Sequence, residues 1–229
     1  MIIQRLLTIG SICLLCFVLT NCNIKGKDAN GQNHVVTKRI KKPAYEEAEE
    51  SLLQLKKEGV DTILFYKRTC ISCCDFFNLF WIKDGKQFIN NIHEAQSFTI
   101  SRTIPMENDT VFTVLFKNYD SLKNTTVKEN QHRVKDGTIN AGATAHYCFT
   151  LIKIYLNADS ITRAIKDDYF SKNLQFNSYD PEPPLSNDNY QENLNSKWNT
   201  LLMAIENKLA LMSSVSQNEV DHLRTRKGY

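Results

Sequence analysis

The sequence predicts an α+β fold: a mainly antiparallel sheet built from two hairpins and an edge strand, with an N-terminal and a long C-terminal helix packed against it. Two observations predict the hairpins, because turn residues at 84–85 and at 157–159 each separate two segments rich in apolar strand formers. A third predicts the helices, because apolar residues recur at helical spacing on both sides of these strands. Hydrophobic residues make up 42% of the 229, enough for the core of one domain, predicted over residues 43–212.

Residues 43–58 predict the first helix. Pro43 suits the start of a helix, where its missing N–H is not needed. Glutamates in the N-terminal half and lysines at the C-terminal end complement the helix dipole. Gly59 is a suitable stop. The predicted buried stripe consists of Tyr45, Ala48, Leu52 and Leu55.

Residues 76–92 predict the first hairpin. Asp84-Gly85 suits a type I′ turn, which needs a positive φ at both central positions. A two-residue turn fixes the register, because each residue before it then faces one residue after it. The expected pairs on one apolar face are Trp81 with Phe88 and Phe77 with Ile92.

The segments around this hairpin carry further signals. Residues 62–66 form a continuous apolar run that predicts a buried strand, and residues 97–104 predict another strand. Residues 109–122 fit a helix capped near Asp109 but are also rich in strand formers, and we favour the helix. Residues 123–143 predict a polar loop.

The last third of the chain predicts a hairpin, a linker and a helix. Residues 146–156 and 161–165 are the two strands of the second hairpin. The proline-rich segment 180–184 predicts a rigid linker, and residues 188–212 carry the apolar stripe of a long amphipathic helix that includes Trp198. Residues 213–229 are predicted to be a flexible tail.

The N-terminus predicts export. One charge, Arg5, precedes the apolar run 6–20, which is too short to span a bilayer as a helix, and a polar exit follows it. The ending Leu19-Thr20-Asn21-Cys22 resembles the lipobox of bacterial lipoproteins. The resemblance implies a signal peptide over residues 1–21, removed on export, with lipid attached to Cys22. The alternative is an uncleaved N-terminal anchor that leaves Cys22 unmodified beside the membrane.

A lipoprotein of this kind is expected in the bacterial cell envelope, lipid-anchored to a membrane and facing the periplasm or the exterior. Residues 22–42, rich in lysine and other polar residues, are then a tether between the lipid and the domain. The membrane is therefore the predicted partner at the N-terminus, and a protein or a small molecule is the expected partner of the domain.

Composition and motifs exclude several functions. The formal charge of +3 becomes +2 once Arg5 is removed, so no strongly basic field predicts a nucleic-acid partner. Only eight glycines are present, and no phosphate-binding loop, nucleophile elbow or metalloprotease motif occurs. We therefore predict no cofactor and favour a non-catalytic role.

Four cysteines remain after Cys22 in the exported chain: Cys70, Cys73, Cys74 and Cys148. An even number of cysteines outside the cytoplasm favours disulfide bonds. A bond between the adjacent Cys73 and Cys74 would form a strained ring, so the simplest arrangement links Cys148 to one member of segment 70–74.

Redox catalysis is the first alternative. A strand leading into Cys70-x-x-Cys73 resembles the active-site entry of thioredoxin-fold proteins, and Thr103-Ile104-Pro105 is similar to the segment before their cis-proline. The resemblance implies a thiol–disulfide oxidoreductase in which Cys70 attacks and Cys73 resolves.

Metal binding is the second alternative. Cys70, Cys73, His146 and Cys148 are residue types that bind zinc tetrahedrally. His146 and Cys148 are two positions apart, which places both on one face of a strand. The favoured function remains a membrane-tethered, exported lipoprotein that binds a partner or acts in envelope assembly.

Overall fold

The structure is a computed structural model that describes residues 24–25, 36–70, 75–95, 98–107, 109–133, 139–141, 148–174 and 185–226. The chain divides into two compact units. Unit 1 comprises Met1–Glu107 and Phe149–Ala164, and unit 2 comprises Asn108–Cys148 and Ile165–Tyr229.

The fold combines helices with a mainly antiparallel sheet, as the predicted α+β class requires. The strands are β1 (Ile24–Lys25), β2 (Val36–Ile40), β3 (Thr62–Cys70), β4 (Phe76–Lys83), β5 (Lys86–Ala95), β6 (Phe98–Met106), β7 (Gln131–Arg133), β8 (Ile139–Ala141), β9 (Cys148–Leu156), β10 (Asp159–Lys166), β11 (Asn173–Leu174) and β12 (Leu185–Ser186). The α-helices are α1 (Ala44–Lys57), α2 (Thr110–Asn124), α3 (Tyr190–Leu194) and α4 (Lys197–Arg226), and a 3-10 helix spans Asp167–Phe170.

The main sheet has the order β1-β2-β6-β5-β4-β3-β9-β10. Strands β3 to β6 pair antiparallel in sequence and form a four-stranded meander. The description of the sheet as two hairpins with an edge strand is therefore not confirmed, because β4 and β5 each pair with a further strand on their outer side. Two short two-stranded sheets, β7-β8 and β11-β12, complete the described strands.

The turn at the centre of the meander agrees with the sequence prediction. Asp84 has φ 53° and Gly85 has φ 71°, the two positive values that a type I′ turn needs. Its register places Trp81 opposite Phe88 and Phe77 opposite Ile92, as expected.

Helix α1 packs on the meander and closes the core of unit 1. It follows Pro43 and ends at Lys57, and Gly59 with φ 73° reverses the chain. The helix has Glu46 and Glu47 in its first turn and two lysines in its last, the distribution that the helix dipole favours. The buried cluster consists of Ala44, Ala48, Leu52, Val60, Ile63, Phe65, Phe77, Leu79, Trp81 and Ile92.

Segment 109–122, for which the sequence favours a helix over a strand, corresponds to the helix α2. The side chain of Asp109 caps it by accepting a hydrogen bond from the Val111 N–H at 2.8 Å. Burial decides the outcome, because Val111, Leu115 and Leu122 lie on one side of this helix and are fully buried.

Helix α4 packs against α2 inside unit 2. Trp198 is fully buried and donates from its indole nitrogen to the Thr125 carbonyl oxygen at 3.1 Å. Lys208 reaches the Asp109 carboxylate at 2.6 Å. The prediction that this helix packs against the sheet is not confirmed, since its partner within the unit is α2.

Three predicted boundaries differ from the structure. The tether prediction over 22–42 overlaps β2, which pairs with β6. The helix predicted over 188–212 is interrupted at 195–196 and then continues to Arg226, into the segment predicted as a tail. The linker 180–184 lies outside the described residues. None of the helices in the described ranges has the length and apolar content to cross a membrane.

Candidate functional site: a polar groove in unit 1

The structure describes only part of the sequence-predicted site. Cys22, Cys73, Cys74 and His146 lie outside the described residues. Cys70 is the last residue of β3 and Cys148 is the first residue of β9, and both are disulfide-bonded. The prediction of a disulfide bond is thus confirmed.

The surroundings of Cys70 differ from the thioredoxin-like arrangement considered above. That resemblance requires a helix to begin at the first cysteine, whereas Cys70 ends a strand and the next described element is the strand β4. Pro105 lies inside β6, opposite Phe88 on β5.

The zinc alternative has no support from the described residues. Within the ranges that the structure describes, no three histidine, cysteine, aspartate or glutamate side chains are close enough to hold a metal ion. Two members of the predicted ligand set, Cys70 and Cys148, are disulfide-bonded, and a sulfur in a disulfide is not the thiolate that zinc needs.

A groove of about 810 Å³ lies between α1 and the face of the sheet formed by β2, β4, β5 and β6. This volume is in the range of small-molecule binding sites. All of its lining residues belong to unit 1. The sheet contributes Val36, Lys38, Ile40, Leu79, Trp81, Lys83, Phe88, Asn90, Ser101 and Thr103.

The floor of the groove is polar where β5 meets β6. Asn90 and Ser101 are both buried, and the Ser101 hydroxyl donates to the Asn90 side-chain oxygen at 3.1 Å. Thr103 lies opposite Asn90 in the register of the two strands. This hydrogen bond and the low exposure of Asn90, 6%, together hold its amide group in place in the floor.

The helical wall is acidic, but its carboxylates are already paired. Lys42 contacts Glu50 and lies 2.7 Å from the Glu47 carboxylate. Burial opposes the charge on Lys42, but the hydrogen bonds to the two glutamates outweigh it and raise the Lys42 pKa. The wall also includes Ser51, whose hydroxyl donates to Glu47 at 3.4 Å.

A second ion pair stands at the C-terminal end of α1. Lys83 donates to the Glu58 carboxylate at 2.7 Å, and the Gln54 amide nitrogen donates to it at 2.9 Å. The bond from Lys83 lowers the Glu58 pKa, and the same bond raises the Lys83 pKa. Neighbouring donors therefore stabilise the ionised form of Glu58.

One end of the groove is aromatic. Trp81 and Phe88 stack with ring centroids 5.3 Å apart and an interplanar angle of 17°. Leu79 lies beside them on the same face and is fully buried. The groove therefore joins a polar floor to a flat apolar surface, a combination that can orient a small ligand with one polar and one apolar part.

The sequence did not lead us to place these residues in a functional site, although it contained one signal. On β5 the positions of Phe88, Asn90 and Ile92 share a face, and two of the three are apolar. A polar residue in the middle of a core-facing apolar stripe indicates that its side chain faces a cavity or makes a polar contact. The contribution of α1 to the same groove had no comparable signal in the sequence.

Comparison of the chain with protein-family models, with curated proteins and with solved structures finds no match.

Proposed function

We propose that this protein is an exported lipoprotein of the bacterial cell envelope that binds a small molecule in the groove of unit 1 and does not transform it. The observation that carries the proposal is the groove itself, with its buried Asn90–Ser101 floor and its stacked aromatic end. Binding is favoured over catalysis because the groove's carboxylates are paired with lysines. The floor groups are an amide and hydroxyls, which are neutral at ordinary pH.

The anchoring half of the proposal rests on the N-terminal sequence. The lipobox-like ending at Cys22 implies an acylated first residue after cleavage. One acyl chain gives only marginal membrane binding, whereas more than one makes attachment lasting. The groove would then act at a membrane surface, with the described part of the chain outside the bilayer.

Replacing the acylated cysteine tests the anchor. We expect Cys22→Ser to abolish incorporation of labelled fatty acid, because serine has no thiol to carry the lipid. The matched control is Cys16→Ser, which should keep the label because signal cleavage removes this cysteine. Fatty-acid labelling that persists in Cys22→Ser would contradict the proposed anchor.

Filling the groove tests the binding half. A fragment library balanced among anions, cations and neutral compounds is screened by following backbone amide NMR signals, and we expect shifts at Asn90, Ser101 and Thr103.

Thr103→Phe places a ring in the groove on a strand that favours aromatic residues, so binding should be lost with the fold intact. Thr162→Phe, at an exposed position of β10, should leave binding unchanged. Binders that tolerate Thr103→Phe would refute this site.

We further propose that Cys70 and Cys148 are the two ends of one disulfide bond. Both are disulfide-bonded, and their strands β3 and β9 are neighbours in the sheet. The backbone bond from the Asn157 N–H to the Asp61 carbonyl oxygen joins the end of β9 to the start of β3, which supports an antiparallel pair of nine-residue strands. The end of β3 and the start of β9, where the two cysteines lie, are then expected to meet.

A further inference from the structure

The acidic side chains of the groove already have partners. Its three glutamates all accept hydrogen bonds or ion pairs from neighbouring side chains: Glu47 and Glu50 from Lys42, and Glu58 from Lys83 and Gln54. A ligand that brought only donors to these carboxylates would have to displace existing partners. The acidic wall is therefore a poor site for a cation.

The amide nitrogen of Asn90 is the central unpaired donor. Its side-chain oxygen accepts from Ser101, and within the described part of the chain its nitrogen donates to no partner. Asn90 lines the groove with 6% of its surface exposed, so an acceptor that enters the groove can take a hydrogen bond from this nitrogen in place of water. The occupant is then expected to carry an acceptor.

The lysines in and beside the groove outnumber its glutamates by one. The groove is lined by three lysines and three glutamates, and Lys42 beside it adds one further positive charge. Lys38 and Lys57 form no ion pair with any described residue. Lys38 lies opposite Ser101, and Asn90 faces Thr103, two residues along the same strand. The backbone of Lys38 is therefore about 12 Å from that of Asn90, and the long lysine side chain can reach a ligand held between them.

The aromatic end of the groove indicates the apolar part of the ligand. Phe88 and Asn90 lie on the same face of β5, two residues and therefore about 7 Å apart. A flat ring against Phe88 and Trp81 would place a substituent one or two bonds long near the Asn90 amide.

We propose that the groove binds an organic carboxylate carried on a flat ring, with the carboxylate accepting from Asn90 and facing Lys38, and the ring against Trp81 and Phe88. This inference rests on the proposed binding function and adds the ligand class. The carboxylate supplies acceptors to the Asn90 amide nitrogen at the groove surface, and a charge-assisted hydrogen bond is about twice as strong as a neutral one.

Three indoles whose side chains end in an anionic, a neutral or a cationic group test the class. Indole-3-acetate, indole-3-acetamide and tryptamine are titrated into the full protein, and groove amide NMR signals report binding. We expect the carboxylate to bind about tenfold more tightly than the neutral amide, with no groove binding by the cation. Equal binding of acid and amide, or preference for tryptamine, would overturn the proposal.

Two variants locate the carboxylate. Lys38→Gln should weaken indole-3-acetate binding about tenfold and leave indole-3-acetamide unchanged, whereas Lys86→Gln, at the exposed hairpin turn, should change neither. Asn90→Leu should abolish the preference for the acid. If Asn90→Leu does not fold, the affinities measured with Lys38→Gln test the proposal instead. Lys38 is exposed, so its replacement leaves the core intact.

The outcomes separate this inference from the proposed function. If the fragment library yields groove binders but only neutral or cationic ones, the carboxylate inference fails and the binding function stands. If neither the library nor any indole shifts the groove signals, the binding function itself fails. Carboxylates that bind without a ring would overturn the aromatic half of the assignment.

Discussion

Replacing Cys70 or Cys148 with serine is expected to lower the free energy of unfolding of the oxidised protein by about 4 kcal/mol. The bond proposed between them closes a loop of roughly 75 residues, and the loss of chain entropy in the unfolded state grows with the logarithm of loop length. Urea unfolding of each variant, compared with the oxidised and the reduced wild-type protein, measures the effect. The reduced wild type should unfold like the variants.

The double variant identifies the pairing. If Cys70 and Cys148 bond to each other, Cys70→Ser with Cys148→Ser should lose no more than either single variant, because one cross-link is removed in every case. A double variant that loses about twice as much would show that each cysteine has another partner. Peptide mapping without reduction should recover Cys70 and Cys148 in one linked pair, and a linked pair containing Cys73 or Cys74 would contradict the assignment.

Asn193→Ala is expected to cost about 3 kcal/mol in the stability of unit 2. Asn193 is 1% exposed, and its amide makes three hydrogen bonds to the backbone. It accepts from the Lys128 N–H at 2.8 Å and donates to the Lys128 and Tyr169 carbonyl oxygens at 2.8 and 2.9 Å. Alanine would take this partner from the part-buried N–H and carbonyl groups of Lys128, whereas the Tyr169 carbonyl oxygen would keep only the longer bond from Asn187 at 3.3 Å. Losing three hydrogen bonds made by one buried amide gives the expected cost.

The two tryptophans make this effect measurable in one unit. Trp198 lies in unit 2 and Trp81 in unit 1, so Trp81→Phe leaves a fluorescence signal from unit 2 alone. Denaturant unfolding in that background should show the loss for Asn193→Ala. Asn193→Asp, of the same shape, should lose at least as much, because it faces two carbonyl oxygens with a carboxylate.

The control for this prediction is Asn189→Ala. Asn189 donates to the Glu129 carbonyl oxygen at 2.8 Å in an exposed setting, where water can replace the lost bond. Asn189→Ala should lower the free energy of unfolding by less than about 1 kcal/mol. Equal losses at both positions would show that burial of the amide is not what makes Asn193 important.

The network around Asn193 also shows which features the sequence conceals. Asn187 donates to the Asn130 side-chain oxygen at 2.9 Å and to the Ser171 carbonyl oxygen at 3.1 Å, so these amides join loops far apart in the chain. In the sequence, nothing distinguishes asparagines within a polar segment from ordinary loop residues. Only folding turns them into buried partners, because their bonds depend on segments more than fifteen residues away.

Features that depend on neighbouring residues were determined by the sequence alone. Asp84-Gly85 sets its hairpin and the Trp81–Phe88 pair, because a two-residue turn admits one register. The position of α1 follows from Pro43, the charge distribution and Gly59, all within one segment. The N-terminal residues alone predict the lipid anchor.

Features that join distant segments were decided only by the tertiary structure. The pairing of β2 with β6 turned part of a predicted tether into a strand, because its hydrogen-bond partners lie some sixty residues away, at Thr99 to Thr103. The groove exists because α1 lies over strands that follow it in the chain, which brings Gln54 to the same cavity as Asn90 and Ser101. Local propensity acts over a few residues, whereas burial and hydrogen bonding act between any segments that the fold brings together, and it is these contacts that build the site.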